Sequence, residues 1–257
     1  MQPKVCILRT DGTNCDVETF YAFAKAGGDC RYVHINQLRN KEEKLGNYEI
    51  LAIPGGFSYG DDVHSGKILA VELTSFLKDQ LYEFIAAGKP VLGICNGFQV
   101  LVRTGILPNR KIDEISAALI KNDSGHFECR WVYLYTEDTN CIFTAGLSGM
   151  CLNLPVAHAE GKFFASPETL KSIGTQVVFR YAGADGRPSM DYPLNPNGSL
   201  EAIAGICDPT GLVLGLMPHP ERFVDFTQHP NWRRGTIAEE PHGLAIFKNA
   251  VRYAKGR

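Results

Sequence analysis

Cys95 is the residue whose surroundings most clearly indicate chemistry, because it ends an apolar run and lies between two glycines. The stretch 90–101 reads as a strand, a tight turn and a helix, with Gly93 and Gly97 two residues to either side of the cysteine. A nucleophile at such a turn has a strained backbone, and only glycine tolerates the crowding at these positions. The N–H groups that begin the helix favour the thiolate. The pattern predicts a nucleophile elbow, although most free cysteines are only small buried hydrophobic residues.

His219 and Glu221 are the candidate base and orienting group that a cysteine nucleophile needs. His219 follows the apolar run 213–217 and is held between two prolines. In an extended segment, residues two apart project to the same side, so Glu221 can accept a hydrogen bond from one ring nitrogen while the other faces Cys95. The residues therefore predict a Cys-His-Glu triad. The alternative is that His219 only caps a strand end.

Acyl transfer also requires hydrogen-bond donors to a developing oxyanion, each of which contributes about 10²–10³ in rate. The backbone N–H of Asn96 directly follows the nucleophile and is the natural first donor. Gly56 is the candidate for the second donor, since its missing side chain lets a substrate approach the backbone. For the Gly55-Gly56 pair, an ordinary tight turn is the competing interpretation.

Apolar runs and helical patterns alternate before Pro108, and this order determines where the candidate residues meet. Buried strands are predicted at 4–9, 30–35, 48–53 and 90–94, and one long amphipathic helix at 69–85. Such alternation forms right-handed βαβ units, hence a flavodoxin-like open, mostly parallel sheet with helices on both faces. Sites form at the carboxyl ends of these strands, where both Gly55-Gly56 and Cys95 fall.

After Pro108 the segments are shorter and richer in β-branched and aromatic residues, which predicts antiparallel strands added in the C-terminal half. These strands are predicted at 117–121, 127–135, 176–181 and 203–207, with a further core strand at 213–217 and a last helix at 244–253. No internal repeat or linker interrupts the 257 residues. We therefore expect a single domain over 1–257.

The composition excludes several classes of partner. Lysine and arginine number 26 against 28 acidic residues, so no basic excess indicates nucleic acid. No apolar run is long enough to span a bilayer, and no charged segment followed by an apolar one begins the chain. The eight cysteines are scattered without a Cys-x-x-Cys pair. We interpret them as reduced thiols of a cytoplasmic protein, with small molecules or proteins as partners and no metal.

Six segments carry a resemblance to a known family. They are Ile53-Pro-Gly-Gly-Phe-Ser-Tyr-Gly-Asp61, Gly93-Ile-Cys-Asn-Gly-Phe-Gln99, Asn122-Asp-Ser-Gly125 with Arg130-Trp-Val132, Leu154-Pro-Val-Ala-His-Ala-Glu-Gly-Lys-Phe163, Asn195-Pro-Asn-Gly-Ser199 and Gly215-Leu-Met-Pro-His-Pro-Glu-Arg222. With its triad residues in this order, the sequence resembles the class I glutamine amidotransferases. Within that family it is similar to the glutaminase subunits of phosphoribosylformylglycinamidine synthases. The elbow is typical of the class, whereas the Phe-Ser-Tyr-Gly-Asp loop and the Asn-Pro-Asn-Gly-Ser turn are specific to the purine branch.

The resemblance implies a role for each matching residue. Cys95 would form a glutamyl thioester, His219 would move the proton between the thiol and the leaving ammonia, and Glu221 would orient His219. The oxyanion would be held by Gly56 and Asn96, and substrate glutamine by Gly55, Gln99, Ala157 and His158. Two of these residues also have ordinary interpretations, because Gln99 could be a solvated helix residue and His158 a packed strand-end histidine.

The implied function is to hydrolyse glutamine and supply ammonia to a separate ATP-dependent synthase subunit of purine biosynthesis, with a small third subunit joining the two. This chain would then bind no cofactor of its own, since ATP and magnesium would bind to the synthase. Two other functions are compatible with the residues: a stand-alone cysteine hydrolase or glyoxalase-like protein of the same fold, and a catalytically silent regulatory subunit. The filled triad positions disfavour the silent subunit.

Three segments depart from the family pattern. Asp62-Val63-His64 replaces Tyr-Leu-Arg, Ala159 stands where glycine is frequent, and 227–240 is a longer connection to the last helix. None of them touches the triad. We expect 224–240 to pack beside the site or against the synthase.

Overall fold

The computed structural model describes residues 1–234 and 240–256. The strands of this part of the chain are β1 (Lys4–Arg9), β2 (Asp29–His34), β3 (Ile50–Ile53), β4 (Val91–Ile94), β5 (Ala117–Ile120), β6 (Glu128–Thr136), β7 (Cys151–His158), β8 (Lys162–Ala165), β9 (Val177–Ala182), β10 (Ile203–Cys207) and β11 (Val213–Leu216). Its α-helices are α1 (Asp16–Lys25), α2 (Ile35–Arg39), α3 (Lys67–Phe76), α4 (Lys78–Ala86), α5 (Asn96–Arg103), α6 (Pro167–Ser172) and α7 (His242–Lys255).

One sheet of nine strands organises these elements, in the order β2-β1-β3-β4-β11-β10-β9-β6-β7. The strands from β2 to β11 in that order are parallel to one another. The strands from β10 to β7 then extend the sheet with antiparallel pairs. The predicted class, a flavodoxin-like open parallel sheet with antiparallel strands added in the C-terminal half, is confirmed. The remaining strands, β5 and β8, pair with each other.

The central strands are short and uniformly apolar, which explains their position in the middle of the sheet. Every residue of β3, β4 and β11 is buried, as expected for parallel strands covered on both faces. Among the helices, α1 packs with α7, and α3 packs with α4 and α5. Helix α5 is buried all round from Asn96 to Val102, so it is a core helix rather than a surface one. No helix among the described residues is long and apolar enough to cross a membrane.

The predicted single helix over 69–85 is wrong, because the chain breaks at Leu77 (φ −121°, ψ 10°) into α3 and α4. The hydroxyl of Thr74 donates to the carbonyl of Val71 at 3.2 Å, which competes with the helical bond pattern in the last turn of α3. The break leaves both Leu77 and Leu81 buried in the core. The spacing of the apolar residues therefore predicted the buried positions correctly. It could not show that the helix axis changes direction at Leu77.

Gly97 shows why the elbow requires glycine. A Cβ atom on Gly97 would lie 1.9 Å from the carbonyl oxygen of Ile53 on the neighbouring strand, and one on Gly93 would lie 2.7 Å from the carbonyl oxygen of Gly97. Helix α5 can begin this close to β3 only because both side chains are absent. These contacts are with backbone atoms and cannot be relieved by a change of rotamer.

We predict that Gly97→Ala lowers the free energy of unfolding by at least about 2 kcal/mol, because the methyl group must displace either β3 or α5. Urea denaturation followed by circular dichroism measures this change. Gly174→Ala is the matched control, since a Cβ there meets nothing within 4 Å. Equal midpoints for the two variants would contradict the proposed packing.

Candidate active site

Cys95 stands at the junction of β4 and α5 with φ 51° and ψ −104°, a backbone conformation that a residue with a side chain seldom adopts. Its N–H donates to the carbonyl of Leu216 on β11 at 2.8 Å, and its carbonyl accepts from Phe98 and Gln99 in the first turn of α5. These bonds hold the strained turn in place. This is the geometry of the predicted nucleophile elbow, in which strain exposes the nucleophile at the edge of the sheet.

His219 and Glu221 form a buried pair immediately after β11. His219 Nδ1 and Glu221 Oε1 are 2.6 Å apart, and both side chains are almost completely inaccessible to solvent. Glu221 lies in a short 3-10 turn, Pro220–Arg222, rather than in the extended segment that we assumed. The N–H of His219 donates to the carbonyl of Pro155 on β7 at 2.8 Å. This bond fixes the backbone from which the imidazole ring projects. The predicted contact is therefore present, but a turn rather than strand alternation produces it.

The pKa of His219 is set by opposing effects. Burial alone would lower this pKa, but the Glu221 carboxylate, the sulfur of Cys95 and the sulfur of Cys15 raise it, and the net result is well above the ordinary value. The raised pKa favours transfer of the Cys95 thiol proton to His219, which then carries it as an imidazolium beside the sulfur. Such a pairing is the usual way in which a histidine activates a cysteine nucleophile.

Gly55 is packed between the members of the predicted triad. A Cβ atom on Gly55 would lie 2.9 Å from His219 Cε1 and 3.4 Å from Cys95 Cβ, so both side chains approach one point. Cys95 and His219 also line the same cavity of about 320 Å³ at the carboxyl edge of the parallel strands. Any larger residue at position 55 would separate them. We therefore assign Gly55 to the spacing of the triad, whereas its predicted contact with the substrate stays a prediction.

The two predicted oxyanion donors come from different parts of the chain: Asn96 directly follows Cys95, and Gly56 lies in the loop after β3. Asn96 is the first residue of α5, so its N–H has no acceptor within the helix. Gly56 lines the cavity and has φ +134°, and a Cβ there would come within 2.7 Å of the backbone nitrogen of Asn14. Glycine is thus required at position 56 for the loop itself. The arrangement is compatible with the predicted role of both N–H groups.

The other predicted substrate contacts meet the cavity in different ways. The thiol of Cys95 donates to the carbonyl of Ala157 on β7, with sulfur and oxygen 3.6 Å apart. Gln99 lines the cavity but is buried, and its Nε2 donates to the carbonyl of Glu160 at 2.6 Å. Gln99 is therefore not a solvated helix residue. Its contact with substrate stays a prediction.

His158 also lines the cavity, beside His219. Burial, and then the charge of His219, lower the pKa of His158 to about 3, so its ring is neutral at physiological pH. His158 Nδ1 pairs with Asn122 Oδ1 at 3.2 Å. Its surroundings therefore suit a packed, uncharged histidine at the wall of the cavity, and its predicted contact with the substrate stays a prediction.

Cys15 is a cavity residue that the sequence analysis did not single out. Its sulfur accepts a hydrogen bond from Arg222 Nη2 at 3.2 Å. It also lies within 4.8 Å of a ring nitrogen of His219 and a carboxylate oxygen of Glu221. This donor set suits Zn²⁺, but the 2.6 Å contact between His219 and Glu221 leaves no room for an ion between them. The signal that could have revealed Cys15 is its position in the loop after β1, at the same edge of the sheet as Cys95.

Residues 224–234 of the predicted packing segment contact both α1, where Asp225 pairs with Lys25, and the antiparallel part of the sheet. The ring of His229 contacts the rings of Trp131 and Phe223, and its Nε2 pairs with Asn153 Oδ1 at 2.8 Å. Within this stretch no residue lines the cavity. Residues 235–239 of the predicted segment lie outside the described residues. Whether 224–240 contacts a synthase stays a prediction.

A parallel sheet that presents a cysteine elbow and a buried His-Glu pair at one edge is the arrangement of amidotransferases that act through a cysteine. Residues 2–254 match the CobB/CobQ-like glutamine amidotransferase domain, and the chain belongs to this family. It is 48% identical over 253 residues to phosphoribosylformylglycinamidine synthase subunit PurQ of Dehalococcoides mccartyi, covering 98% of each chain. It is 44% identical over 266 residues to the subunit of the same name from Methanococcus maripaludis, covering 98% of this chain and 97% of the relative. The solved structure of PurLQS from Thermotoga maritima matches 98% of this chain and 99% of its own, with 32% identity and a TM-score of 0.77.

Proposed function

We propose that this chain is the glutaminase subunit of phosphoribosylformylglycinamidine synthase and that Cys95, His219 and Glu221 carry out the hydrolysis. The observation that supports the residue assignment best is that the cysteine elbow shares one cavity with His219, which is paired with the buried Glu221. The similarity to PurQ subunits over nearly the full length of the chain supports the purine assignment.

In the first half of the proposed reaction, His219 takes the proton of the Cys95 thiol and the sulfur attacks the carboxamide carbon of glutamine. The carbonyl oxygen becomes an oxyanion, which the N–H groups of Asn96 and Gly56 stabilise. His219 then donates its proton to the nitrogen, the carbon–nitrogen bond breaks, and ammonia leaves. Cys95 is left as a glutamyl thioester.

In the second half, water adds to the thioester carbon while His219 accepts one of its protons. The carbon–sulfur bond then breaks, glutamate forms, and the proton returns to the Cys95 sulfur. Glu221 acts through His219 in both halves, because its carboxylate holds Nδ1 and stabilises the imidazolium. The raised pKa of His219 suits this role, since the ring must carry a proton when ammonia leaves.

The partners and cofactors follow from the same assignment. The PurLQS structure supports a synthase subunit and a small bridging subunit as partners. We propose that ATP and Mg²⁺ bind to the synthase subunit and that this chain, as a single domain over 1–257, binds no cofactor of its own. We further propose a cytoplasmic location, which the eight unpaired cysteines support because such thiols are typical of a reducing compartment.

The test is glutamate release from glutamine by this chain alone and in complex with the synthase and small subunits. We expect strong stimulation by the partners together with ATP and formylglycinamide ribonucleotide, because an uncoupled glutaminase would lose ammonia to solvent. The control replaces glutamine by ammonium chloride, which must support product formation without this chain. Turnover that partners do not stimulate would indicate a stand-alone hydrolase, and no turnover in either state would indicate a silent subunit.

A further inference from the structure

The side chain of Asn96 has all of its polar groups bound inside the protein. Ser58 Oγ lies 2.5 Å from Asn96 Oδ1. Asn96 Nδ2 donates to Asp61 Oδ1 at 3.1 Å and to Gln99 Oε1 at 3.0 Å. Asn96, Ser58 and Gln99 are buried. We call Ser58, Asp61 and Gln99, the three residues around this amide, the Asn96 clamp.

The segment that supplies two clamp residues is strained. Tyr59, Gly60 and Asp61 are three consecutive residues in the left-handed region, with φ 54°, 68° and 54°. Tyr59 and Asp61 both carry side chains, and strain of this kind persists only where the surroundings enforce it. Here the N–H of Tyr59 donates to the carbonyl of Asp11 at 2.7 Å, and its hydroxyl pairs with Glu72 at 2.6 Å. The strained turn brings the carboxylate of Asp61 to Asn96.

We propose that Ser58 and Asp61 are positioning residues that fix the oxyanion donor by holding the Asn96 side chain. The proposal rests on the function given above, in which the peptide N–H of Asn96 binds the oxyanion. This peptide directly follows the strained Cys95; its carbonyl accepts from the N–H groups of Phe98 and Gln99, but its own N–H has no acceptor in the helix. The helical bonds hold the carbonyl side of this peptide, and the clamp holds Asn96 on the other side through its side-chain amide.

The hydrogen bonds of Asp61 favour a positioning role over direct stabilisation of charge. Its carboxylate would repel an oxyanion, and Oδ1 already accepts from Asn96 and from the N–H of Gly66 at 3.3 Å. Burial, together with the charge of nearby Glu160, raises the pKa of Asp61, so the site tolerates this carboxylate at some cost. We explain the unfavourable burial of the Asp61 carboxylate by its hydrogen bond to the Asn96 side chain.

The experiment compares Ser58→Ala, Asp61→Ala and the conservative Asp61→Asn with wild type in the complete complex. Asp62→Asn is the matched control, since Asp62 is the adjacent acid but is exposed. For each protein the kcat and KM for glutamine are measured. The Ki is measured for the glutamine analogue whose carboxamide is an aldehyde, which adds to the cysteine as a tetrahedral adduct. Circular dichroism and thermal unfolding check that each variant folds.

We expect Asp61→Ala to lower kcat by about 10²-fold, because a donor displaced by about 1 Å loses this much, while KM changes less than about threefold. The affinity for the aldehyde should fall in parallel with kcat, and Asp61→Asn should recover much of both, because its side-chain oxygen still accepts from Asn96. If Asp61→Ala instead raises KM and leaves kcat unchanged, Asp61 binds the substrate and the clamp is wrong. Variants that match Asp62→Asn also overturn the clamp, whereas a wild type that releases no glutamate would refute the proposed function itself.

Discussion

Cys95→Ala is expected to lower glutamine hydrolysis by the complete complex by at least about 10⁴-fold, because removing the nucleophile removes the thioester route entirely. Cys95 stands at the strained turn between β4 and α5, whereas Cys15 and Cys129, which also line the cavity, do not occupy this turn. The residual rate should be only that of the oxyanion donors and substrate binding, which act without a nucleophile. The measurement is glutamate release at saturating glutamine.

Two controls make this result specific. With ammonium chloride in place of glutamine, the complex that contains Cys95→Ala should form product at the wild-type rate, because the synthase reaction does not use the thiol. Cys15→Ala is the matched cysteine control, since Cys15 lines the same cavity and contacts Arg222. It should cost no more than about tenfold, the value of one hydrogen bond. If Cys15→Ala abolished hydrolysis and Cys95→Ala did not, the nucleophile would have been misassigned.

The elbow could be predicted because its constraints are local in sequence. The glycines at 93 and 97 report close backbone approaches, and the structure places their Cα atoms against α5 and β3, where no side chain fits. Alternating strands and helices likewise predicted that Gly56 and Cys95 meet at one edge, since parallel strands share a direction. For such features, residue type and spacing carry the information.

Features that depend on distant contacts were missed for a physical reason. In the Asn96 clamp, Ser58 lies 38 positions and Asp61 35 positions before Asn96 in the chain. The types of these two residues do not indicate which amide they bind. Strand β7 was not predicted either, although Leu152, Leu154, Val156 and His158 alternate as buried residues. Pro155 argues against a strand interior, but β7 is the last strand of the sheet, where proline is tolerated.

Glu221→Gln is the second change with a large expected effect, about 10³–10⁴-fold in kcat, although it alters neither size nor shape. The glutamine amide can present either its oxygen or its NH₂ group to His219 Nδ1, and it no longer stabilises the imidazolium. In the wild type, Glu221 is among the causes that raise the pKa of His219 against the effect of burial. Without that carboxylate, a main cause that opposes burial is lost and the pKa of His219 falls.

The lowered pKa of His219 predicts how the pH dependence of the variant should change. Activity requires the proton that His219 carries, so the alkaline limb of the kcat/KM profile should move to lower pH in Glu221→Gln. The free energy of unfolding should also depend on this pKa. A raised folded-state pKa stabilises the protein fully below the unfolded pKa of about 6.5, and this stability is lost as the pH rises through the folded value. The variant should therefore lose more unfolding free energy at about pH 6 than at about pH 9. An unchanged alkaline limb would mean that another group supplies the proton, and the buried His219–Glu221 pair would then be structural.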